Sequence, residues 1–335
     1  MSAPAFKTLS QKDVLALLEQ PRPTLILFHR NPDGDAVGSA FALKRMLAAL
    51  GSPAWCVAPN EVPRRLRFLA DGEQESVLPE AIPPRFDNAR VVSVDVASPS
   101  QLGSLQERFS GKVDLMIDHH VNGTPFADHF ILPDAAATGE ILERFAREWR
   151  AEGRLAPDRE TDARLYAAIS SDTGCFRFSN ASPTTYRAAA GLIESGIDAA
   201  EINHLLFESN SPEQIRAEGA AISNLAFAGD GKIGYITFPY PLKASLGVAD
   251  ENLDTLIDIP RSVEGVRVAF AVRQPTEAGV FRVSVRSACD YDVSALCAAF
   301  GGGGHRRAAG CTIEAESMEA AVRLLLAAID PNEIP

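Results

Sequence analysis

The stretch TLILFHRNPDGDAVGS, residues 24–39, joins an apolar run to a dense group of polar side chains. Residues 24–28 predict a buried β-strand, because they are almost all apolar and a polar segment follows them. His29, Asp33 and Asp35 then come within seven residues. Taken alone, an Asp-Gly-Asp triplet is more typical of an ordinary turn than of a binding site. The stretch therefore indicates half of a metal site only if other segments bring further ligands to the same place.

The first half of the chain alternates short apolar runs with amphipathic helical segments. This alternation is typical of a doubly wound α/β domain with a mainly parallel sheet. Further strands are predicted at residues 52–58, 90–97 and 113–118. Helical periodicity predicts helices at residues 40–50, 138–152 and 161–170.

The sequence changes character after Gly196, where it becomes polar and helical. We expect Asn210-Ser211-Pro212 to interrupt that helical stretch, because proline lacks the backbone N–H that a helix needs. Three alternating or β-branched runs follow, namely GKIGYITF, VRVAFAVRQ and VFRVSVRS, and then two helical segments. The resulting prediction is a first domain over residues 1–195, a helical linker over residues 196–215 and a smaller α/β domain over residues 216–335.

Composition narrows the classes of function. The chain has 335 residues, with 32 Lys and Arg against 44 Asp and Glu, and a net charge of −12. This acidic balance argues against binding of long duplex nucleic acid, but a short anion held by metal ions and a few arginines remains compatible with it. No run approaches the about 18 apolar residues that span a bilayer, and the start has no apolar signal core, so we expect a cytoplasmic protein with no membrane partner. The five cysteines are scattered without CxxC spacing, which favours reduced thiols.

Three further segments carry acidic and histidine side chains at the ends of predicted elements. Asp95 follows VVSV, Asp118, His119 and His120 follow LMI, and Asp172 follows the helix predicted at residues 161–170. The carboxyl ends of parallel strands line one crevice, so these groups can converge with the first stretch. Carboxylate oxygen and imidazole nitrogen without thiolate suit Mn²⁺ or Mg²⁺. Crowded carboxylates also repel one another unless cations neutralise them, and two neighbouring metal ions are the usual clamp for phosphoester hydrolysis.

The second half carries a run of four glycines, Gly301–Gly304, which neither helix nor strand propensity explains. The run is either a flexible hinge or a loop whose backbone N–H groups approach a phosphate. No Walker lysine follows, so it is not a P-loop. Arg286 ends a predicted strand, and its guanidinium suits phosphate, although a surface arginine on an edge strand is the alternative.

Taken in order, these motifs resemble those of the DHH phosphoesterase superfamily, which is named for the triplet Asp118-His119-His120. The matching motifs in the first half are HRNPDGDAVGS, the aspartate of SVDVAS, the triplet itself and the aspartate of SSDTG. VSVRS and GGGGHRRAAG resemble the superfamily's DHHA1 substrate-binding domain. The resemblance covers nearly the whole chain.

The resemblance implies a centre of two Mn²⁺ ions, with Mg²⁺ or Co²⁺ as substitutes, in which Asp95 bridges the ions. It implies one ion bound by His29, Asp33 and Asp95, and a second bound by Asp35, Asp95, His119 and Asp172. Asp118 would orient an imidazole, and His120 would face the scissile phosphate, which makes these two the catalytic candidates. The substrate-binding candidates that the resemblance implies are Arg286, Ser287, Gly302, Gly303, Gly304 and His305.

A chain of this architecture resembles the nanoRNase type of the superfamily. That type implies hydrolysis of very short oligoribonucleotides to 5′-mononucleotides, and of 3′-phosphoadenosine 5′-phosphate. The alternative is a phosphodiesterase of linear or cyclic di-adenosine nucleotides. A nucleotide-binding regulator without catalysis is a weaker alternative, because it would show lost metal ligands and no motif position is lost here. The expected partners are short RNA or small nucleotides, and homodimerisation is left open.

Overall fold

The computed structural model describes residues 6–109 and 111–335, without the side chains of Glu251 and His305. The chain divides between Ser209 and Asn210 into two compact units, each with its own sheet and its own hydrophobic core. Across the described ranges, no helix combines the length and the apolar character that crossing a bilayer requires.

The first unit is built on a five-stranded sheet in the order β2-β1-β3-β4-β5, and every pair of neighbouring strands in it is parallel. Its strands are β1 Thr24–Leu27, β2 Ala54–Val57, β3 Arg90–Val94, β4 Leu115–Asp118 and β5 His129–Ile131. Its helices are α1 Gln11–Leu18, α2 Gly34–Ala49, α3 Gln106–Phe109, α4 Thr138–Ala151, α5 Arg159–Asp172, α6 Pro183–Glu194 and α7 Ala199–Phe207. The prediction of an α/β domain with a mainly parallel sheet is confirmed.

Both faces of this sheet are covered, which explains why its strands read as apolar runs. Leu25 and Leu27 of β1 pack into a cluster on one face, whereas Ile26 and Phe28 pack into the larger cluster on the other. Successive side chains of a strand point to opposite faces, so a strand that is buried on both sides needs apolar residues throughout.

Helix α2 begins at Gly34, whereas the sequence predicted a helix over residues 40–50. The first eleven residues of α2, Gly34–Lys44, are all buried. A helix that is buried all round has no polar face, so its first turns lack the periodicity on which the prediction relied. The Asp-Gly-Asp triplet is therefore the start of a helix, with Asp33 as its N-cap, and not an isolated turn.

Two glycines on α2 allow α5 to pack against it closely. A Cβ at Gly34 would lie 2.6 Å from Cβ of Ser171, and a Cβ at Gly38 would lie 2.6 Å from the backbone oxygen of Arg164. Real Cβ atoms do not approach other atoms that closely, so both positions require glycine. Because Ser171 precedes Asp172 and Gly34 precedes Asp35, this close packing also brings the two aspartates toward each other.

We expect Gly38→Ala to destabilise the protein by about 1–3 kcal/mol, since the added methyl group must push the α5 backbone away. Chemical denaturation with and without the substitution measures the change in free energy of unfolding. Gly191→Ala on α6 is the matched control, because a Cβ there would meet no atom within 4 Å. Equal stability of the two variants would contradict the proposed packing of α2 on α5.

The second unit contains a six-stranded sheet in the order β10-β11-β9-β8-β7-β6, in which only β7 and β8 pair in parallel among the described strands. Its strands are β6 Ala226–Ala228, β7 Ile233–Phe238, β8 Val268–Arg273, β9 Val280–Ser287, β10 Gly303–His305 and β11 Ala308–Glu314. Its helices are α8 Pro212–Ser223, α9 Tyr240–Leu246, α10 Asp258–Arg261, α11 Val293–Ala298 and α12 Met318–Ala328.

The polar helical stretch after Gly196 is broken where the sequence places Asn-Ser-Pro. Helix α7 ends at Phe207, and α8 begins at Pro212 with Ser211 as its N-cap. Pro212 occupies the first helical position. A backbone N–H at this position would have no acceptor within the helix, so proline costs no helical hydrogen bond here.

Candidate metal centre

Three adjacent strands end at the position where their polar side chains meet. His29 lies two residues beyond the end of β1, Asp95 directly follows β3, and Asp118 is the last residue of β4. Since β1, β3 and β4 are parallel neighbours, these residues share one edge of the sheet.

The start of α2 supplies two more carboxylates. Oδ1 of Asp33 accepts the backbone N–H groups of Asp35 and Ala36, each at 3.0 Å, so this carboxylate caps the helix. Asp35, in the first turn of α2, is fully buried. One side chain therefore lies just before the helix and the other just inside it.

Asp35 also caps a second helix, α4. Its carboxylate accepts the backbone N–H groups of Thr138 at 2.7 Å and Gly139 at 2.9 Å, and the hydroxyl of Ser39 at 2.8 Å. The N-cap residue of α4 is Ala137, which has no side chain that could accept these bonds. The first N–H groups of a helix need acceptors from outside it, and here Asp35 supplies them. The sequence analysis missed the role of Thr138 and Gly139. The available signal was Ala137, because an alanine before a strongly periodic helix cannot accept the first N–H groups and leaves them to a residue from elsewhere in the chain.

Asp95 lies between two groups of ligand atoms. Its Oδ2 is 3.5 Å from Nε2 of His29, and its Oδ1 is 3.7 Å from Nε2 of His119. Its backbone has φ of 57°, a left-handed conformation that aspartate and asparagine tolerate better than most residues. This conformation ends β3 and directs the two carboxylate oxygens toward different histidines.

Backbone carbonyl groups orient both of these histidines. Nδ1 of His29 bonds to the carbonyl oxygen of Arg30 at 2.9 Å, and Nδ1 of His119 to that of Ala135 at 3.3 Å. A carbonyl oxygen can only accept, so Nδ1 carries the hydrogen in each ring. Nε2 of each ring consequently faces the carboxylates, as a metal-binding histidine requires.

The side chains form overlapping clusters in which the ligand atoms lie within 4.8 Å of one another. The clusters are His29 with Asp33 and Asp95, Asp35 with His119 and Asp172, and Asp95 with His119 and His120. The structure thus brings together all six residues predicted as ligands, while their assignment to particular ions stays a prediction.

The pKa values of the cluster reflect crowded negative charge. Burial, together with the carboxylates of Asp95 and Asp172, raises the pKa of Asp35 well above its usual value. Burial also raises the pKa of Asp172, to about 6, against the lowering effect of its hydrogen bond with His119. Burial alone would lower the pKa of His119, but the carboxylates of Asp172, Asp95 and Asp35 outweigh it and raise that pKa to about 11. The donor set is thus rich in oxygen, ranges from buried to half-buried, and carries crowded negative charge, which fits divalent metal ions.

Asp118 positions His120 and does not join the clusters. Its Oδ1 is 2.7 Å from Nδ1 of His120 and also accepts the backbone N–H groups of His119 and His120. Burial would lower the pKa of His120, but the carboxylates of Asp118 and Asp95 raise it above its usual value. An imidazole held in this way has a fixed orientation and keeps its proton more readily.

In the second unit, Arg286 lies on β9 in a half-buried position. One guanidinium nitrogen donates to the backbone oxygen of Val285 at 3.0 Å, and no described carboxylate forms an ion pair with the group. Burial lowers the pKa of Arg286; the carboxylates of Asp258 and Asp254 oppose this effect, and Arg261 adds to it. A partly desolvated guanidinium that forms no ion pair is suited to bind an anion.

Part of the glycine run belongs to the sheet of the second unit. Its second half forms β10, an edge strand that pairs with β11, and a Cβ at Gly302 would overlap the backbone oxygen of Gly310. Gly304 has φ of 144°, and a Cβ there would lie 2.5 Å from the backbone oxygen of Ala308. A Cβ at Gly303, in contrast, would meet no atom within 4 Å. The glycines thus allow the strand to approach β11, with open space at Gly303.

The two remaining substrate-binding candidates are Ser287 and His305. The hydroxyl of Ser287 is buried and bonds to the backbone of Cys289, donating to its oxygen at 3.0 Å and accepting from its N–H at 3.2 Å. Ser287 therefore shapes the turn after β9. The side chain of His305 lies outside the described residues. Its backbone pairs with Ala308, which also pairs with Arg286, so the three positions share one row across the sheet.

Family models match both halves of the chain. The model described as the DHH family, N-terminal domain, matches residues 23–169, and the model described as the DHHA1 domain matches residues 234–330. The first match includes all the clustered side chains except Asp172, and the second includes Arg286.

Individual proteins are also similar to this chain over most of its length. The bifunctional oligoribonuclease and PAP phosphatase NrnA of Thermus thermophilus is 35% identical over 92% of this chain and 89% of its own length. The cyclic-di-AMP phosphodiesterase PdeA of Listeria monocytogenes is 24% identical over 94% of this chain but only 48% of its own length. The structure of an exopolyphosphatase-related protein from Bacteroides fragilis superposes with a TM-score of 0.86, at 22% identity and with 97% of both chains covered.

Proposed function

Because the chain belongs to the DHH family and carries a DHHA1 domain, it is a phosphoester hydrolase, and we propose that it hydrolyses very short oligoribonucleotides to 5′-mononucleotides. We include 3′-phosphoadenosine 5′-phosphate as a second substrate and Mn²⁺ as the preferred ion. The observation that carries the proposal is the position of Asp95, whose two oxygens face separate histidines in two clusters of ligands.

The clusters support an assignment of residues to two ions. His29, Asp33 and Asp95 form one cluster and would hold one ion. Asp35, His119 and Asp172 form another and would hold the second ion together with Asp95, whose Oδ1 is 3.7 Å from Nε2 of His119. Two such ions supply a strong nucleophile at neutral pH and neutralise the charge that develops on phosphorus. Mg²⁺ or Co²⁺ would substitute for Mn²⁺ in this donor set.

His120 would contact the reacting phosphate. Asp118 holds Nδ1 of its imidazole, so Nε2 is the atom available to donate a hydrogen bond or proton to the leaving oxygen. The raised pKa of His120 favours the protonated ring that this role needs. Arg286 and the backbone N–H groups near Gly303 would bind a second phosphate of the substrate.

The substrate class rests on charge and on the relatives. A net charge of −12 argues against a broad basic surface for a long nucleic acid, so a short anion fits better. The Thermus relative is named for oligoribonucleotide and PAP hydrolysis and matches along nearly its whole length. Hydrolysis of linear or cyclic di-adenosine nucleotides is the second candidate, supported by the Listeria relative, of which this chain spans about half.

A panel of substrates tests the proposal. Products are followed over time with Mn²⁺ on pApA, a five-nucleotide RNA, a 24-nucleotide RNA, 3′-phosphoadenosine 5′-phosphate, cyclic di-AMP and pyrophosphate. We expect the fastest turnover on pApA or the five-nucleotide RNA, measurable phosphate release from 3′-phosphoadenosine 5′-phosphate, and AMP as the product of pApA. Preference for the 24-nucleotide RNA or pyrophosphate would overturn the proposal, and preference for cyclic di-AMP would favour the second candidate.

Metal binding should strengthen as the pH rises. His29 and His119 have raised pKa values in the folded protein, so each holds a proton that an incoming ion must displace. Their contribution to the stability of the metal-free fold is complete below pH about 6.5 and declines as the pH rises toward the raised pKa values. We therefore expect Mn²⁺ to raise the melting temperature more at pH 8 than at pH 6. Thermal scans with Mn²⁺ and with EDTA at both pH values measure this, and a larger shift at pH 6 would contradict it.

A further inference from the structure

The chain makes an unusual turn directly after Asp172. Gly174, Cys175 and Phe176 have φ values of 54°, 59° and 60°, so three consecutive residues are left-handed. This conformation is unfavourable for residues with a side chain, and a bulky phenylalanine is a clear outlier there. Such strain persists only where surrounding contacts impose it, and it is concentrated at functional sites.

Phe176 anchors this turn. Its ring packs between those of Tyr166 and Tyr186, with centroids 5.8 and 5.4 Å away. Its backbone N–H donates to the hydroxyl of Thr173 at 3.0 Å, and its carbonyl oxygen accepts the hydroxyl of Tyr186 at 3.0 Å. These contacts give Phe176 a structural role, which is to hold the turn in place.

The turn also fixes the position of Phe178. The backbone N–H of Phe178 donates to the carbonyl oxygen of Thr173 at 3.0 Å, which folds the chain back on itself. The ring then lies against Gly174, where a Cβ would overlap its atoms. Phe178 is nevertheless only half-buried, and the neighbouring Arg177 and Ser179 are exposed. A half-buried aromatic ring is thus positioned by a turn with a left-handed backbone.

The segment that carries Phe178 runs beside the metal centre. Two residues further on, the side-chain amide of Asn180 donates to the backbone oxygens of Asp172 and Ala136, each at 3.1 Å. The adjacent Ala135 accepts the hydrogen bond from Nδ1 of His119. The segment from Phe178 to Asn180 therefore borders the cluster that contains His119 and Asp172.

We infer that Phe178 is the platform on which a nucleobase of the substrate stacks while the adjoining phosphate lies at the metal centre. The inference rests on the proposed function, because it assumes a nucleotide substrate. Every base has a flat face that stacks on an aromatic ring, so this contact selects nucleotides over other phosphoesters without selecting a sequence. The strained turn fits this role, since it holds the ring in place before substrate binds.

A pair of substrates that differ only in the base tests the inference. One is 3′-phosphoadenosine 5′-phosphate, and the other is its abasic analogue, in which a methoxy group replaces adenine. We expect wild type to prefer the adenine substrate in kcat/KM by about 10-fold to 100-fold. In Phe178→Ala this preference should fall to near unity, mainly through a higher KM. Phe178→Tyr should keep it, and Phe178→Leu, which fills the same space without an aromatic face, should lose most of it.

A spectroscopic measurement supplies a second readout. Stacking quenches the fluorescence of 2-aminopurine, so its riboside 5′-monophosphate should lose emission on binding to wild type and to Phe178→Tyr, but not to Phe178→Leu. Phe176→Ala is the matched control, because it removes the anchoring ring. It should lower the melting temperature more than Phe178→Ala does.

The possible results separate the two proposals. Hydrolysis of both substrates by wild type without preference for adenine, or an unchanged preference in both Phe178→Ala and Phe178→Leu, would overturn the stacking platform and leave the proposed function standing. Failure of wild type with Mn²⁺ to hydrolyse either substrate, or any RNA of the panel, would overturn the proposed function and the platform with it.

Discussion

Asp95→Asn is expected to reduce Mn²⁺-dependent hydrolysis of pApA by about 1,000-fold or more. Oδ2 of Asp95 faces His29 and Oδ1 faces His119, so this side chain lies between the two histidines. Asparagine offers a single neutral oxygen, and its amide nitrogen cannot bind a cation. Losing several kcal/mol of charge stabilisation in the transition state corresponds to this drop in rate.

Asparagine is a better replacement than alanine at this position because of the backbone. Asp95 is left-handed, a conformation that asparagine adopts more readily than alanine. The melting temperature of the metal-free variant should therefore stay close to that of wild type. Asp33→Asn is the control, since Asp33 belongs to one of the three clusters whereas Asp95 belongs to two, and asparagine also caps helices well. A smaller loss is expected there, and more than a tenth of wild-type activity in Asp95→Asn would contradict the bridging role.

His120→Ala is expected to lower kcat by about 100-fold to 10,000-fold while KM changes little. His120 lies outside the two predicted ligand sets, so the rise in melting temperature on adding Mn²⁺ should be retained. This combination of a lost rate and a kept metal response separates a residue that contacts the phosphate from a metal ligand. Loss of the Mn²⁺ response would show that His120 binds the ion.

Asp118→Asn tests how His120 is positioned. Asparagine can still accept the backbone N–H groups that Asp118 binds, but it no longer supplies a negative charge to Nδ1 of His120. The pKa of His120 should then fall, so activity that depends on the protonated ring should be lost at a lower pH than in wild type. We expect about a 10-fold to 100-fold lower rate at neutral pH. In a His120→Ala background the same change should cost little, because its effect acts through the imidazole.

The sequence predicts the α/β fold and the meeting of the acidic and histidine residues, for a physical reason. Parallel strands that are buried on both faces are apolar throughout, and their carboxyl ends share one edge. Polar residues such as His29, Asp95 and Asp118 directly after these strands are therefore visible as a group. These residues can be recognised from their positions after the strands, without knowing how the loops fold.

Features that depend on packing are not visible in this way. The first turns of α2 carry no polar face, so the helix start at Gly34 was missed. The bonds from α4 to Asp35 join residues about a hundred positions apart, and nothing local in the sequence of either segment specifies the partner. The strand formed by Gly303–His305 was also missed, because glycine disfavours strands and only the close approach to β11 explains its presence.

The most direct test of the two-ion centre is a titration of metal-free protein with Mn²⁺, followed by electron paramagnetic resonance. Two Mn²⁺ ions held a few ångströms apart interact magnetically, whereas separate ions do not. The position of Asp95 between His29 and His119 predicts two ions per chain and a spin-coupled signal in wild type, and loss of that coupling in Asp95→Asn. A single bound ion per chain, or two ions without coupling, would contradict the account.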